Sequence, residues 1–256
     1  MRIPMPCNIY AEKLFNVLMT SIEKYRCDCI ALSGGIDTSL ILLANISAGY
    51  KPRGYTAVYR QGLPKDLVYV NHIAKFFNID VKYIYIDQGD IDNLVSGVIG
   101  CIGRDRIDSH RDGGCIEIRN DIVFYSILRE AKRDGCRCIY TGSGGDEVFA
   151  GYSFLLKLVE KELEETINRL AYGRYPELEI AKCIDVKAVA LLLDREVLDT
   201  AFKIPINCLR SEKMQGKEIL REILRSRDLH VIGQRIKTPA EDGAGTVSVC
   251  RSIYDY

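Results

Sequence analysis

Apolar positions recur every three or four residues through 8–25, with Leu14, Val17, Leu18 and Ile22 on one face, and predict an amphipathic helix. The period then shortens. CDCIALS is a brief apolar run, the mark of a buried strand, and it ends in the glycine pair Gly34 and Gly35. Helical spacing resumes over 38–48, GYTAVY predicts a second strand, and 66–77 a further helix. VKYIYI alternates as a third strand, followed by a weak helix over 90–98. Residues 100–114 are charged and glycine-bearing and predict a mobile loop or lid, in which His110 is expected to be solvated. A helix over 117–132, the strand CRCIYT and the small-residue stretch YTGSGGDEVFAGY come next. Beyond 151 helical periodicity dominates to 227 with no strand signal. Strands alternating with helices predict an α/β fold: a doubly wound parallel sheet with a C-terminal helical lobe. The expected divisions are an N-terminal helix over 1–26, an α/β domain over 27–152 and the helical lobe over 153–256.

Composition narrows the function classes. The 256 residues carry 35 basic and 35 acidic side chains, a balance that argues against a nucleic-acid partner. No apolar run is long enough to span a bilayer, and the N-terminus has no uninterrupted apolar segment, so a cytoplasmic protein without membrane partners is expected. The ten cysteines include the C-x-C pairs Cys27/Cys29 and Cys136/Cys138 but no C-x-x-C. Small buried core residues are the first expectation for them, disulfides the second, and a metal or sulfur-relay site the third. Cys101 and Cys115 bracket the 100–114 loop and would be placed to staple it.

Candidate chemistry concentrates at LSGGIDTS, residues 32–39, between a buried strand and a helix. An α/β sheet binds ligands at the carboxyl ends of its strands. There the backbone N–H groups of 33–38 and a helix N-terminus form an anion cradle that small side chains let a phosphate approach. The loop is not a Walker A motif, because the GK[ST] ending is missing.

SGG-hydrophobic-DTS resembles the pyrophosphatase loop of the N-type ATP pyrophosphatases, adenine nucleotide alpha hydrolase-like proteins that split ATP into AMP and pyrophosphate. The rest of the chain is similar to the synthetase domain of asparagine synthetases. YTGSGGDEVFAGY resembles SGEG[AS]DE[LV]FGGY, IEIRNDIVFYSILRE the helix bearing TxIR, and LLLDREVLDTAFKIP the stretch PFLDKKFLDVA. QGKEILREIL is similar to the EKHILR segment and QRIKTPAEDGAG to RQKEQFSDGVG. The resemblance implies that Ser33, Gly34, Gly35, Thr38 and Ser39 bind the pyrophosphate of ATP, that Leu32 belongs to the same nucleotide site, and that Asp37 and Asp146 hold Mg²⁺. It implies that Val58 reads adenine through its backbone, that Gly142 approaches the nucleotide, and that Lys217 binds pyrophosphate. Arg119 falls on the family arginine, and Arg235 and Lys237 become phosphate or lid contacts.

Three positions depart from the family pattern. The glutamate between the two glycines of SGEG, thought to activate ammonia, is Ser143, which cannot act as a base at neutral pH. The glutamate and arginine of the EAR segment become Lys187 and Val189, and the threonine of TxIR becomes Glu117. Glu117 is therefore a candidate replacement carboxylate and Lys187 a candidate binder of a substrate acid, the alternative being a structural ion pair between them. The resemblance implies an AMP-forming carbon–nitrogen ligase of amino-acid biosynthesis type, which adenylates a carboxylate for attack by ammonia or an amine. The alternative is an ATP-dependent tRNA-modifying or sulfur-transfer enzyme of the same superfamily. No glutaminase domain is expected here, so nitrogen would come from free ammonia, an amine or a separate amidotransferase subunit; a homodimer is left open.

Overall fold

The computed structural model describes residues 5–110, 112, 114–210 and 215–249. Residues 1–4, 111, 113, 211–214 and 250–256, parts of the expected N-terminal helix, loop and helical lobe, lie outside the described residues. Along the chain the elements begin α1 (Met5–Tyr25), β1 (Cys29–Ala31), α2 (Ile36–Ser47), β2 (Arg53–Tyr59), α3 (Leu67–Phe77), β3 (Val81–Ile86) and α4 (Ile91–Ile102). They continue with α5 (Arg104–Asp108), α6 (Cys115–Arg133), β4 (Ile139–Thr141), α7 (Gly145–Val148), α8 (Glu160–Ala171) and α9 (Pro176–Cys183). The last are β5 (Ala188–Ala190), α10 (Arg195–Ala201), α11 (Glu218–Arg225), α12 (His230–Gly233) and α13 (Ala240–Ala244).

The five strands form one sheet in the order β3-β2-β1-β4-β5, every neighbouring pair parallel. β1 and β4 are buried along their whole length, which is why their sequences read as unbroken apolar runs rather than alternation. β3, at one edge, is half-buried and alternates. Two apolar layers cover the sheet. One gathers Leu14, Leu18 and Ile22 of α1, Leu40 of α2, Leu163 of α8, Val197 of α10 and Ile219 of α11. The other gathers Leu94 of α4, Ile122 and Ile127 of α6 and Ile180 of α9. The chain builds outward from β1 to β3, then returns to place β4 on β1's other side. The winding reverses between β1 and β4, and it is outside the carboxyl ends of strands at such a point that open α/β sheets bind ligands.

Three expectations are corrected. The region after 152 is not purely helical: β5 joins the sheet beside β4, with Thr141 opposite Ala190. Three residues are too few to show a strand period, so the signal was lost among helices. The 100–114 segment is largely helical where described, because Ile102 and Ile107 are buried, 7% and 1% exposed, and draw α4 and α5 onto the core. The described cysteines are not free core residues. Bridges join Cys7–Cys208, Cys27–Cys138, Cys29–Cys136 and Cys101–Cys183, and Cys115 is disulfide-bonded as well. Cys101 thus ties α4 to α9 rather than closing the loop onto Cys115. No described helix is long and apolar enough to cross a membrane.

Candidate active site

At the end of β1 the Leu32 N–H still donates to Tyr55 O (2.8 Å), and the chain then turns into the loop before α2. Gly34 adopts φ +64°, and a Cβ there would lie 2.7 Å from Tyr69 Cβ, so both backbone angle and space require glycine. The Ser33 hydroxyl accepts from Gly35 N (3.2 Å) and shares a hydrogen bond with the Thr38 hydroxyl (3.2 Å). No side chain caps α2, and the buried Ser39 hydroxyl has no protein partner, an arrangement of the kind that receives anions.

The loop after β4 closes on this one. A Cβ on Gly142 would meet Thr38 Cγ2 at 3.1 Å and Asp37 Cβ at 3.3 Å, and one on Gly145 would overlap the Asp37 carboxylate at 2.2 Å. The small residues of TGSGGDE are therefore the condition for Asp37 and Asp146, from α2 and α7, to approach each other. Between them stands Lys217. Its backbone is left-handed (φ +60°) just before α11, and its N–H donates to Phe149 O (2.9 Å). Its buried ammonium bridges Asp37 Oδ2 (2.5 Å) and Asp146 Oδ1 (2.9 Å). Gly151 makes room for it, since a Cβ there would lie 2.4 Å from Lys217 Cε and 2.0 Å from Asp146 Oδ1. Lys237 reaches Asp146 Oδ1 from the other side (2.9 Å) and lies 4.0 Å over the Tyr152 ring.

Charge follows this geometry. Burial works against the Lys217 ammonium, but Asp37 and Asp146 outweigh it and hold its pKa above the usual lysine range. Burial also opposes ionisation of Asp146, yet Lys217 and Lys237 keep it below the usual carboxylate range. Burial pushes Asp37 upward, against Lys217 and with Asp146 reinforcing.

The other expected residues divide. Val58 lies in β2 near its carboxyl end, at the same edge of the sheet as the loop. Arg235 is 5% exposed and donates to Ser33 O (2.9 Å) and to Asp66, with its guanidinium 4.0 Å over Tyr69. It holds the loop's backbone from the C-terminal side. Arg119 pairs with Glu241 of α13 (3.3 Å), and Gly243 of the same helix accepts from Asp66 N (3.0 Å). Glu117 is not available as a base: Arg174 (2.7 Å) and His110 occupy its two oxygens. Lys187 is not brought to the site, and it does not pair with Glu117. It is exposed at the amino end of β5, where its carbonyl accepts from Ile139 N (3.0 Å), roughly 10 Å of strand away from the carboxyl edge.

Sequence reasoning missed Asp66, Tyr69 and Glu177. Asp66 and Tyr69 had only a helix pattern around them. Glu177, in the first turn of α9, accepts a hydrogen bond from the Ser143 hydroxyl, which also contacts Thr141 Oγ1 at 2.8 Å. Pro176 signalled a helix start, but nothing local linked Glu177 to a loop 34 residues away.

The donor set suits a hard divalent cation. Asp37 Oδ1 is buried with no hydrogen-bond partner, and Asp146 is adjacent. No cluster of three or more metal-ligating side chains exists among the described residues, so the remaining ligands would be phosphate and water oxygens, as Mg²⁺ commonly takes.

The family model for asparagine synthase matches residues 28–179. A Methanocaldococcus jannaschii protein bearing the name asparagine synthetase 1 (glutamine-hydrolyzing) is 29% identical over 193 residues, 72% of this chain and 34% of that one. Glutamine-hydrolyzing asparagine synthetase B of Escherichia coli is 33% identical over 50% of this chain and 24% of its own. The chain thus spans about a third or less of these relatives' lengths. Among solved structures, NMN synthetase from Francisella tularensis aligns over 91% of this chain and 98% of its own at 16% identity, TM-score 0.40.

Proposed function

The chain belongs to the asparagine synthase family, and on that footing we propose that it is an ATP-dependent, AMP-forming ligase that adenylates a carboxylate for attack by ammonia or an amine. The observation that carries this reading is the Lys217 ammonium held between Asp37 and Asp146, beside an uncapped helix N-terminus and a glycine loop. Phosphates of the substrate ATP are received by the N–H groups of 33–38 and the Ser39 hydroxyl. Lys217 and Lys237 offset charge that builds as the α-phosphate is attacked. Asp37 and Asp146 are the residues that would hold Mg²⁺, which would supply neutralisation of negative charge on the phosphates. Arg235 keeps the loop in its phosphate-binding shape from behind.

The nitrogen donor in this reading is free ammonia, a substrate amine or ammonia from a separate subunit. The test is pyrophosphate release from ATP and Mg²⁺ across L-aspartate, L-glutamate, succinate and β-alanine, each with and without ammonium, and with tRNA as a separate arm. Stimulation by a carboxylic acid is expected, and Asp37→Asn lowers it by about 100-fold or more. Release stimulated by tRNA alone replaces this reading with a base-modifying one.

A further inference from the structure

The loop after β4 carries Ser143, and the fold brings the carboxylate of Glu177 to it from elsewhere in the chain. Ser143 is 7% exposed and lies next to Gly142, the residue that packs on Asp37 and Thr38 of the phosphate loop. Its hydroxyl donates to Glu177 Oε1. The carboxylate of Glu177 is thereby oriented beside the loop, and its own backbone N–H also hydrogen-bonds to it.

The neighbouring carboxylates are committed. Glu117 is held by Arg174 and His110, Asp146 by Lys217 and Lys237, and Glu147 receives the Tyr152 hydroxyl. Among the described residues no cation stands within ion-pair distance of Glu177. Burial raises its pKa above the ordinary glutamate range, with the Ser143 bond, its own backbone N–H and the more distant Arg174 opposing and Glu147 reinforcing, so its carboxylate is a stronger base than an exposed one. Asp121, 3% exposed and within electrostatic reach of Glu177, has an oxygen with no hydrogen-bond partner.

We propose that Glu177 is the catalytic base of the acyl-transfer step, oriented by Ser143 as a positioning residue, and that the acceptor is an amine protonated in solution, such as ammonia or a primary alkylamine. The inference rests on the ligase reading above. In the step, the lone pair of the neutral amine attacks the acyl carbon of the acyl-adenylate. The bond from that carbon to the phosphate oxygen breaks and AMP leaves with the electron pair. The Glu177 carboxylate removes the proton of the bound ammonium before the attack, which frees that lone pair, and the further proton shed by the nitrogen after the attack goes to the departing AMP phosphate or to water.

The test separates adenylation from transfer. With the acid that gives the strongest exchange among L-aspartate, L-glutamate, succinate and β-alanine, exchange of labelled pyrophosphate into ATP reports the first half. Transfer to ammonium and to hydroxylamine reports the second. Hydroxylamine is largely unprotonated at neutral pH and needs no base. Glu177→Gln is expected to keep exchange within about threefold, lose transfer to ammonium by about 100-fold, and keep transfer to hydroxylamine. Glu177→Asp recovers part of the ammonium reaction, and Ser143→Ala loses about tenfold of it while exchange is unchanged. Unfolding midpoints of the variants within a few degrees of the parent show that the fold is kept. If Glu177→Gln transfers to ammonium at the parent rate, or loses exchange and hydroxylamine transfer in equal measure, the assignment is overturned. If the unaltered protein gives no exchange with any of the four acids, the ligase reading itself fails, an outcome distinct from either.

Discussion

Gly151 sets the tightest steric condition in the site. A methyl group there would overlap Asp146 Oδ1 and the Lys217 stem at once, and it would also stand 2.7 Å from Asp146 Cα, which cannot move alone. Gly151→Ala is expected to cost about 2 kcal/mol in denaturant unfolding and to displace Lys217. Gly89→Ala, which would meet nothing within 4 Å, should stay within about 0.5 kcal/mol of the parent. Equal losses in both would remove the steric argument. Asp121 makes the opposite case, a residue the fold tolerates at a cost. Burial, reinforced by Glu117 and Glu177, pushes its pKa up to about 8. The folded chain therefore keeps a proton on Asp121 between about pH 4 and pH 8, where the unfolded chain has lost it. Stability drains away as pH rises through that window and levels off above it. Asp121→Asn removes the penalty, so its advantage over the parent should be small at pH 5 and grow by up to about 1.4 kcal/mol per pH unit toward pH 8. Denaturant midpoints measured at both pH values check this.

At the scale of elements, the segment after α12 acts as a strap across the phosphate loop. Arg221 of α11 donates to Gly233 O (3.1 Å) and Arg235 O (2.8 Å), fixing the strap's backbone. Arg235 then joins Asp66, the residue before α3, to the Ser33 carbonyl after β1. Three sequence-distant elements thus meet in one buried guanidinium. Breaking such a pair from one side leaves an uncompensated charge. Arg235→Met is accordingly expected to destabilise by about 3 kcal/mol, and adding Asp66→Asn should recover a large share of that loss. A double variant no more stable than Arg235→Met would mean that the pair is not the source of the cost.

For the whole molecule, the bridges tie the parts that the sheet already brings together. Cys27–Cys138 and Cys29–Cys136 join the chain at β1 to the chain at β4 across 111 and 107 residues, and Cys7–Cys208 fastens α1 to the segment after α10 across 201. On the chain-entropy account, closing a loop of about 100 residues contributes about 4–5 kcal/mol, and nested loops add less than their sum. Full reduction should lower the unfolding midpoint markedly. Cys27→Ala/Cys138→Ala should cost far less than full reduction, because Cys29–Cys136 still closes nearly the same loop. An unchanged midpoint under reducing conditions would show that the bridges contribute little to stability.

The alternation of strand and helix, the glycine loop at 32–39 and the acidic pair after TGSGG were legible because each is local: a period, a turn or a capless helix start is written in consecutive residues. That sufficed for a parallel α/β sheet and for Asp37 and Asp146 at neighbouring strand ends. β5 was not legible, because a three-residue strand needs its partner β4 to exist as one. The cysteine pairing was hidden for the same reason, since spacing along the chain does not measure spacing across a sheet. The same limit separated Lys187, which family position suggested for the site, from Glu177, which nothing local suggested. Strand direction carries Lys187 to the sheet's far edge, while the packing of α9 carries Glu177 to Ser143. The sequence by itself determined the fold class and the glycine loop with its acidic pair at neighbouring strand ends. Which carboxylate meets Ser143 depends on side chains far apart in the chain, and only tertiary packing decided it.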